Sequence, residues 1–475
     1  IDVELPAMDY YDQPLKAALE SGDISMEFID TAVRRHLQKK FETGLFENPY
    51  VNENSVMEIF ETPAQRTLAR DIAEKSMVLL KNDGVLPLKK TIETLAVIGP
   101  NAHNARNQLG DYSHSSVLQL LQIPAANGFP VINVDANQVK AHDIHTITVL
   151  DGIQAVVSQN TRVLYAQGCD ILGNDNDGFE EALNIAMQAD AVVLVLGDHS
   201  GLSPVCSTGE TRDSVDLCLP GAQEALAHAV IAIGKPVVVV LVNGRPYAIP
   251  WLDDNANAIL EAWLPGEEGG NAVAAALFGD INPGGKLPIT FPRHVGQVPI
   301  FYNHPYSGMR SNWYVDYVTE KVTPLYAFGH GLSYTQFDYS DLSISAAQAG
   351  KDESVSISFK ITNCGPASGD EVVQLYINDE YASSPRPLKE LKGYLRLTLS
   401  PGDCQQVTFN LPVNQLAFYD PALNLVLEPG KINIMIGASS NDIRLNGSFE
   451  IIGTSKIPVK DRIFACPVQS RIINE

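Results

Sequence analysis

The sequence predicts a multidomain chain in which an α/β sandwich built on a mainly parallel sheet precedes an all-β sandwich. Three observations carry that expectation. At 475 residues the chain exceeds one ordinary domain, and its composition, 45% hydrophobic and 19% charged, is that of folded globular proteins. From about residue 76 to 325, short apolar runs alternate with segments of helical length and spacing. Beyond Tyr334 the helical spacing stops, and stretches of alternating polarity follow one another between Gly, Pro and Asn/Asp turns.

In chain order, the first element is a helix over 24–44, where Phe28, Ile29, Ala32, Val33, Leu37 and Phe41 share a face, Lys39 and Lys40 occupy the last turn and Gly44 stops it. The turn-rich stretch from Gly44 to Val51 opens a linker, and another helix is expected over 63–76. Strands are expected over 94–99, 162–166, 191–197, 236–243, 258–263 and 287–291, several apolar on both faces, with helices over 178–189, 221–233 and 271–279 between them. Buried strands interleaved with helices give a parallel sheet covered on both sides. Residues 112–148 interrupt the alternation as a polar insertion, either a lid or rim or a solvated excursion. Alternation over 337–362, 371–379, 390–400, 405–411 and 431–437 reads as a β-sandwich. The tail from about 454 to 475 shows no clear period and is expected to drape over a neighbouring domain.

The charge excludes some functions. With 33 basic and 56 acidic residues the formal charge is −23, a field that repels nucleic acid and anionic membranes and suits a neutral substrate, although solubility is the plainer cause of it. No apolar run reaches membrane-spanning length. The six cysteines, Cys169, Cys206, Cys218, Cys364, Cys404 and Cys466, form no CxxC or Cys/His pattern, so no structural metal is expected. Cys206 and Cys218 are near enough in sequence to bridge, and buried free thiols are the equal alternative. The first six residues carry neither an initiator Met nor a signal sequence, so the chain reads as starting in mid-domain.

Elimination then leaves carboxylate chemistry. The loop from Leu264 to Asn271 joins a strand to a helix where a phosphate could dock, but Glu267 and Glu268 repel one and no phosphate-binding or dinucleotide pattern is complete. No Ser, Cys or His stands in a recognisable nucleophile elbow or triad. The stretch from Cys206 to Pro220 follows the strand expected over 191–197, and loops beyond the carboxyl ends of parallel strands are where α/β sheets face their ligands. Glu210 lies in it among Arg212, Asp213 and Asp216, charges able to tune a carboxyl group. A solvated loop glutamate is the plain alternative.

Several long motifs resemble glycoside hydrolase family 3: Ser76 to Leu88 (SMVLLKNDGVLPL), Val240 to Pro246 (VLVNGRP), Glu261 to Ala272 (EAWLPGEEGGNA), Leu277 to Pro288 (LFGDINPGGKLP) and Tyr326 to Tyr334 (YAFGHGLSY). Glu371 to Tyr376 (EVVQLY) and Pro387 to Tyr394 (PLKELKGY) are similar to the family's fibronectin type III-like domain. The resemblance runs in the family's order over nearly the whole chain. It implies the remnant of a (β/α)8 barrel over 1–50, a linker over 51–75, the α/β sandwich domain over 76–325, the fibronectin-like domain over 326–455 and a tail over 456–475. It also implies a retaining exo-β-glycosidase, β-glucosidase foremost and β-xylosidase as the alternative, acting on a β-glucoside or oligosaccharide without cofactor, metal, nucleic acid or membrane. The expected location is extracellular or periplasmic.

By that resemblance the acid/base is the Glu of a Gly-Glu-x-x-Asp/Arg loop, which Gly209 to Asp213 (GETRD) matches, so Glu210 takes the role. Arg212 is a candidate for the leaving-group subsite, or else an ion-pair partner of Asp213 or Asp216. The family's nucleophile is an Asp in a Ser-Asp-Trp segment of the barrel, and no such segment occurs. Ile1 to Pro6 resembles a later barrel segment, so Asp2 is not that nucleophile. A second chain carrying the barrel is therefore the expected partner, with room for a homo-oligomer; a non-catalytic fragment or sugar-binding assembly protein is the competing reading. Tyr112 is a candidate sugar contact, with packing as its alternative. Trp313 and Tyr314 are rim candidates for stacking on sugar, whereas Trp251 and Trp263 read as core. His330 and Arg245 read as structural, and His199 is not a substitute catalytic group.

Overall fold

The structure, a computed structural model, describes residues 2–5, 8–121, 145–210, 212–306 and 319–473. It divides into two compact units, Ile1–Gln65 and Arg66–Glu475. In the first, helices Gln13–Ser21 and Met26–Glu42 bury none of their residues. The second helix occupies the stretch expected as helix, yet Phe28, Val33, Leu37 and Phe41 on its apolar stripe are all exposed. Helix Pro63–Ser76 follows the linker and leads into the second unit.

The second unit is centred on a six-stranded sheet of β1 (Val78–Asn82), β2 (Thr94–Ile98), β3 (Arg162–Ala166), β4 (Ala191–Gly197), β5 (Val237–Val242) and β6 (Ala258–Trp263). The spatial order is β1-β6-β5-β4-β2-β3, with β1 antiparallel to β6 and every other pair parallel. All of β4 and β5 is buried, which is why both read as unbroken runs of Val and Leu. Helices Phe179–Gln188 and Gln223–Ile231 cover one face through Ala182, Ala186, Leu226 and Val230. Helices Val149–Val156 and Gly269–Leu277 cover the other through Val149, Ile153, Val273 and Leu277. From β2 the chain steps to β3 on one side and then to β4 on the other, so the strand order reverses between β2 and β4. That reversal makes the carboxyl ends of these two strands the switch point, the place where open parallel sheets accommodate ligands.

Two strand expectations are corrected. Residues 287–291 form no strand; Phe291 makes only an isolated bridge with Tyr326, because Pro288 and Pro292 break the ladder of donors a strand needs. The antiparallel edge strand β1 was not anticipated, since its apolar run continues directly from a helical one. Of the insertion expected over 112–148, His114–Leu121 is helical and residues 122–144 lie outside the described residues.

The β-sandwich pairs a five-stranded sheet, containing Gly369–Asp379, Glu390–Leu399, Gly430–Gly437 and Ile443–Ile451, with a four-stranded sheet of Phe337–Ile344, Ser354–Asn363, Cys404–Pro412 and Val468–Ile472. Phe359, Phe409, Val373 and Ile434 fill the space between. The tail does not drape over a neighbouring domain. Val468–Ile472 pairs antiparallel with Cys404–Pro412 and completes the four-stranded sheet. Its strand character is hidden in sequence because four of its five residues face solvent, leaving little apolar alternation to read. The sandwich is fastened to the α/β sheet by polar contacts among largely buried groups. Lys286 pairs with Glu371 at 2.9 Å, and the Gln374 amide donates to the Gly329 carbonyl at 3.3 Å.

Candidate active site

The chain leaves β4 through Gly197, whose backbone contacts Gln223 twice: its N–H donates to the Gln223 side-chain oxygen at 2.8 Å and its carbonyl accepts from the Gln223 amide at 2.9 Å. The φ of +138° and a Val242 carbonyl oxygen 2.0 Å from where a Cβ would lie leave only glycine room to start the loop there. The loop then doubles back, with the Gly201 N–H donating to the Thr208 carbonyl at 3.0 Å and the Ser207 N–H to the His199 carbonyl at 3.0 Å. It ends in a tight turn in which the Arg212 N–H donates to the Gly209 carbonyl, so that Glu210 stands exposed at the tip.

Two neighbouring segments and a buried carboxylate of the loop itself hold this loop. From beyond β2, Arg106 donates to the Ser200 carbonyl at 2.7 Å, while the Asp111 carboxylate accepts from the Glu210 N–H at 2.7 Å and from the Ser200 hydroxyl. From beyond β5, Arg245 reaches Asp213 at 2.7 Å and also bonds the Thr208 hydroxyl. Beneath the loop, the fully buried Asp198 carboxylate accepts from Tyr247, Ser207 and the Gly244 N–H, and burial raises its pKa. Glu210 therefore sits exposed on a turn whose backbone is fixed by the segments that follow β2 and β5.

The other residues named from sequence divide clearly. Arg212 is exposed and has no ion pair among the described residues, since Asp213 is taken by Arg245. Tyr112 is 73% exposed and follows Asp111, which places it beside the Glu210 turn. Trp313 and Tyr314 lie outside the described residues. Trp251 stacks on His228 at 3.5 Å and Trp263 lies edge-to-face with Phe291 at 6.0 Å, both against the core. His330 Nε2 lies 2.9 Å from the Leu80 carbonyl oxygen, a structural contact. Burial and the Arg106 guanidinium push the His199 pKa down to about 4, so its ring is neutral at pH 7. Cys206 is buried and Cys218 exposed, and the two are not bridged. Among the described residues, no group of three or more His, Cys, Asp or Glu side chains is arranged to hold a metal ion.

Sequence reasoning missed three polar groups of the site. Asp198 immediately follows the glycine that ends β4, a position that marks ligand-facing loops and could have drawn attention. Asp111 stands beside Tyr112 in a Gly-Asp-Tyr stretch that resembles a family loop, but its bond to the Glu210 N–H spans 99 residues and leaves no local pattern. Glu261 is fully buried on β6, accepting from the Trp263 N–H at 2.8 Å and the Asn243 amide at 3.2 Å, and burial raises its pKa strongly. A raised folded-state pKa means that folding takes up a proton above the unfolded value of about 4.3, so this group's contribution declines as pH rises from there. Glu261→Gln should accordingly gain stability relative to the parent as pH goes from 5 to 8, read as the difference between their unfolding midpoints. A difference that stays constant with pH would show that Glu261 is ionised in the fold.

An exposed carboxyl group on a loop at the switch point of a parallel sheet covered on both faces defines the class of the domain as α/β with a ligand-facing loop of acidic character. Comparison with known proteins agrees with that class. Residues 77–334 match the glycosyl hydrolase family 3 C-terminal domain, and residues 371–440 the fibronectin type III-like domain. The chain is 38% identical over 478 residues to the periplasmic beta-glucosidase of Salmonella typhimurium, covering 94% of this chain and 58% of that protein. It is 40% identical over 436 residues to a beta-xylosidase of Formosa agariphila, covering 91% and 56% respectively. The crystal structure of a beta-glucosidase from Listeria innocua superposes with a TM-score of 0.79 at 31% identity, covering 96% of this chain and 59% of that one. The chain thus spans somewhat more than half the length of these relatives. It belongs to glycosyl hydrolase family 3.

Proposed function

We propose that this chain supplies the general acid/base, Glu210, of a retaining exo-β-glycosidase that removes terminal non-reducing β-linked sugars, with β-glucosides as the foremost substrates. The nucleophile is an Asp on a barrel outside these 475 residues. The observation that carries the reading is the position of Glu210: exposed, at the tip of a turn beyond β4, on a backbone clamped to the loop that leaves β2. Retention requires the two carboxyl groups to stand about 5–5.5 Å apart across the scissile bond. The nucleophile attacks the anomeric carbon while Glu210 gives its proton to the departing glycosidic oxygen, leaving a covalent glycosyl-enzyme. Glu210, now a carboxylate, then takes a proton from water as that water attacks the same carbon and releases the nucleophile.

Arg212 and Tyr112, exposed on or beside the same turn, are proposed to line the leaving-group side of the site. The similarity to the Formosa beta-xylosidase supports β-xylosides as the second substrate class. The Salmonella relative's name, periplasmic, supports a location outside the cytoplasm. Among the described residues, no helix is long and apolar enough to cross a membrane. The chain, assembled with its barrel, should be assayed on a panel of nitrophenyl glycosides. Release of nitrophenol from the β-glucoside or β-xyloside but not the α-anomers is the expected result. No turnover of any member by a folded assembly would instead favour a sugar-binding role.

A further inference from the structure

We infer that Asp111 is the positioning residue for the acid/base: its carboxylate ties the Glu210 turn to the outgoing limb of the same loop and so fixes where the Glu210 side chain starts. This inference rests on the reading of Glu210 given above. One carboxylate oxygen accepts from the Glu210 N–H at 2.7 Å and the other from the Ser200 hydroxyl. Ser200 lies three residues beyond the end of β4 and Glu210 lies on the returning limb, so a single side chain from the β2 exit bridges both limbs. Among the described residues, the hydrogen bonds of that side chain go to the acid/base loop and none to its own segment, whose fold is held by backbone bonds and Arg106. Hydrogen bonds from a backbone N–H to an ionised carboxylate are among the stronger ones available. Near-attack geometry is also demanding, since a displacement of about 1 Å can cost on the order of 100-fold in rate.

The side-chain inventory supplies a discriminating pair of variants. In Asp111→Asn, the amide oxygen can still accept from the Glu210 N–H while the amide nitrogen donates to a rotated Ser200 hydroxyl, so the clamp survives. Asp111→Ala removes it. In the chain assembled with its barrel, Asp111→Ala should lower kcat/KM on methyl β-glucoside by about 10- to 100-fold and lower it far less on dinitrophenyl β-glucoside, whereas Asp111→Asn should stay close to the parent on both. In a Glu210→Ala background the same Asp111→Ala substitution should cost nothing further. Amide hydrogen exchange in the peptide spanning 207–213 should speed up in Asp111→Ala and not in Asp111→Asn, a readout available without any activity. Equal losses on the two substrates, an added loss in the Glu210→Ala background, or unchanged exchange would each overturn the inference. If Glu210→Ala itself shows no dependence on leaving group, the acid/base assignment fails, and the exchange result still tells whether the clamp exists.

Discussion

Glu210→Ala, in the chain assembled with its barrel, is expected to lower kcat/KM on methyl β-glucoside by about 10²–10⁴-fold, the usual worth of a positioned acid, and to leave kcat/KM on dinitrophenyl β-glucoside near the parent value. An alkoxide leaves poorly unless it is protonated as the bond breaks, whereas a dinitrophenolate departs without help. The parameter matters, because kcat/KM reports the first step, in which Glu210 acts as an acid. In the second step it acts as a base, so turnover of the activated substrate should stall at the glycosyl-enzyme and recover when azide, a nucleophile that needs no deprotonation, is supplied. Equal losses of kcat/KM on both substrates would sink the assignment.

Gly209→Ala should come close to the same defect without touching a catalytic group. Gly209 has φ +132°, and an added Cβ would lie 2.1 Å from the Gly201 carbonyl oxygen and 2.8 Å from an oxygen of Asp111. The first neighbour is backbone, which cannot swing aside, and the second is the carboxylate that accepts the Glu210 N–H. The unfavourable φ alone costs on the order of 1–3 kcal/mol, and relieving the clash must pull the two limbs of the loop apart. Loss on methyl β-glucoside should exceed about 100-fold, because the displacement exceeds the roughly 1 Å that already costs that much. The thermal midpoint should fall by only several degrees, since the strain is confined to a loop outside the buried strands that dominate stability. An active Gly209→Ala variant would show that the turn is pliable and that Glu210 is placed by the substrate.

The sheet was legible because burial on both faces leaves a plain mark: β4 and β5 are runs of apolar residues with nothing polar to blur their ends. Glu210 was legible through its local motif and its place after a strand. The clamps were not. Asp111, Arg106 and Arg245 come from loops distant in sequence, and a side chain that meets its partner across the switch point shows no local pattern of spacing. Glu261 illustrates the opposite difficulty: a carboxyl group inside a strand is indistinguishable in sequence from one at its surface until the neighbouring strand and helix are in place. Residues 287–291 have the apolar content of a strand, but Pro288 within them and Pro292 just after them remove the donors a ladder needs, and the last strand shows little alternation because nearly all of its side chains face water.

That last strand has a consequence for handling the protein. Val468–Ile472 contributes almost nothing to the hydrophobic interior, yet it occupies the open border of the four-stranded sheet and satisfies the backbone groups of Cys404–Phe409. Shortening the chain at the C-terminus by a few residues would leave the sandwich core intact and expose a ready template for intermolecular strand addition. With Val468–Ile472 in place the open edge of that sheet is a short strand whose side chains are nearly all exposed; without it the edge moves to the longer and more buried Cys404–Pro412.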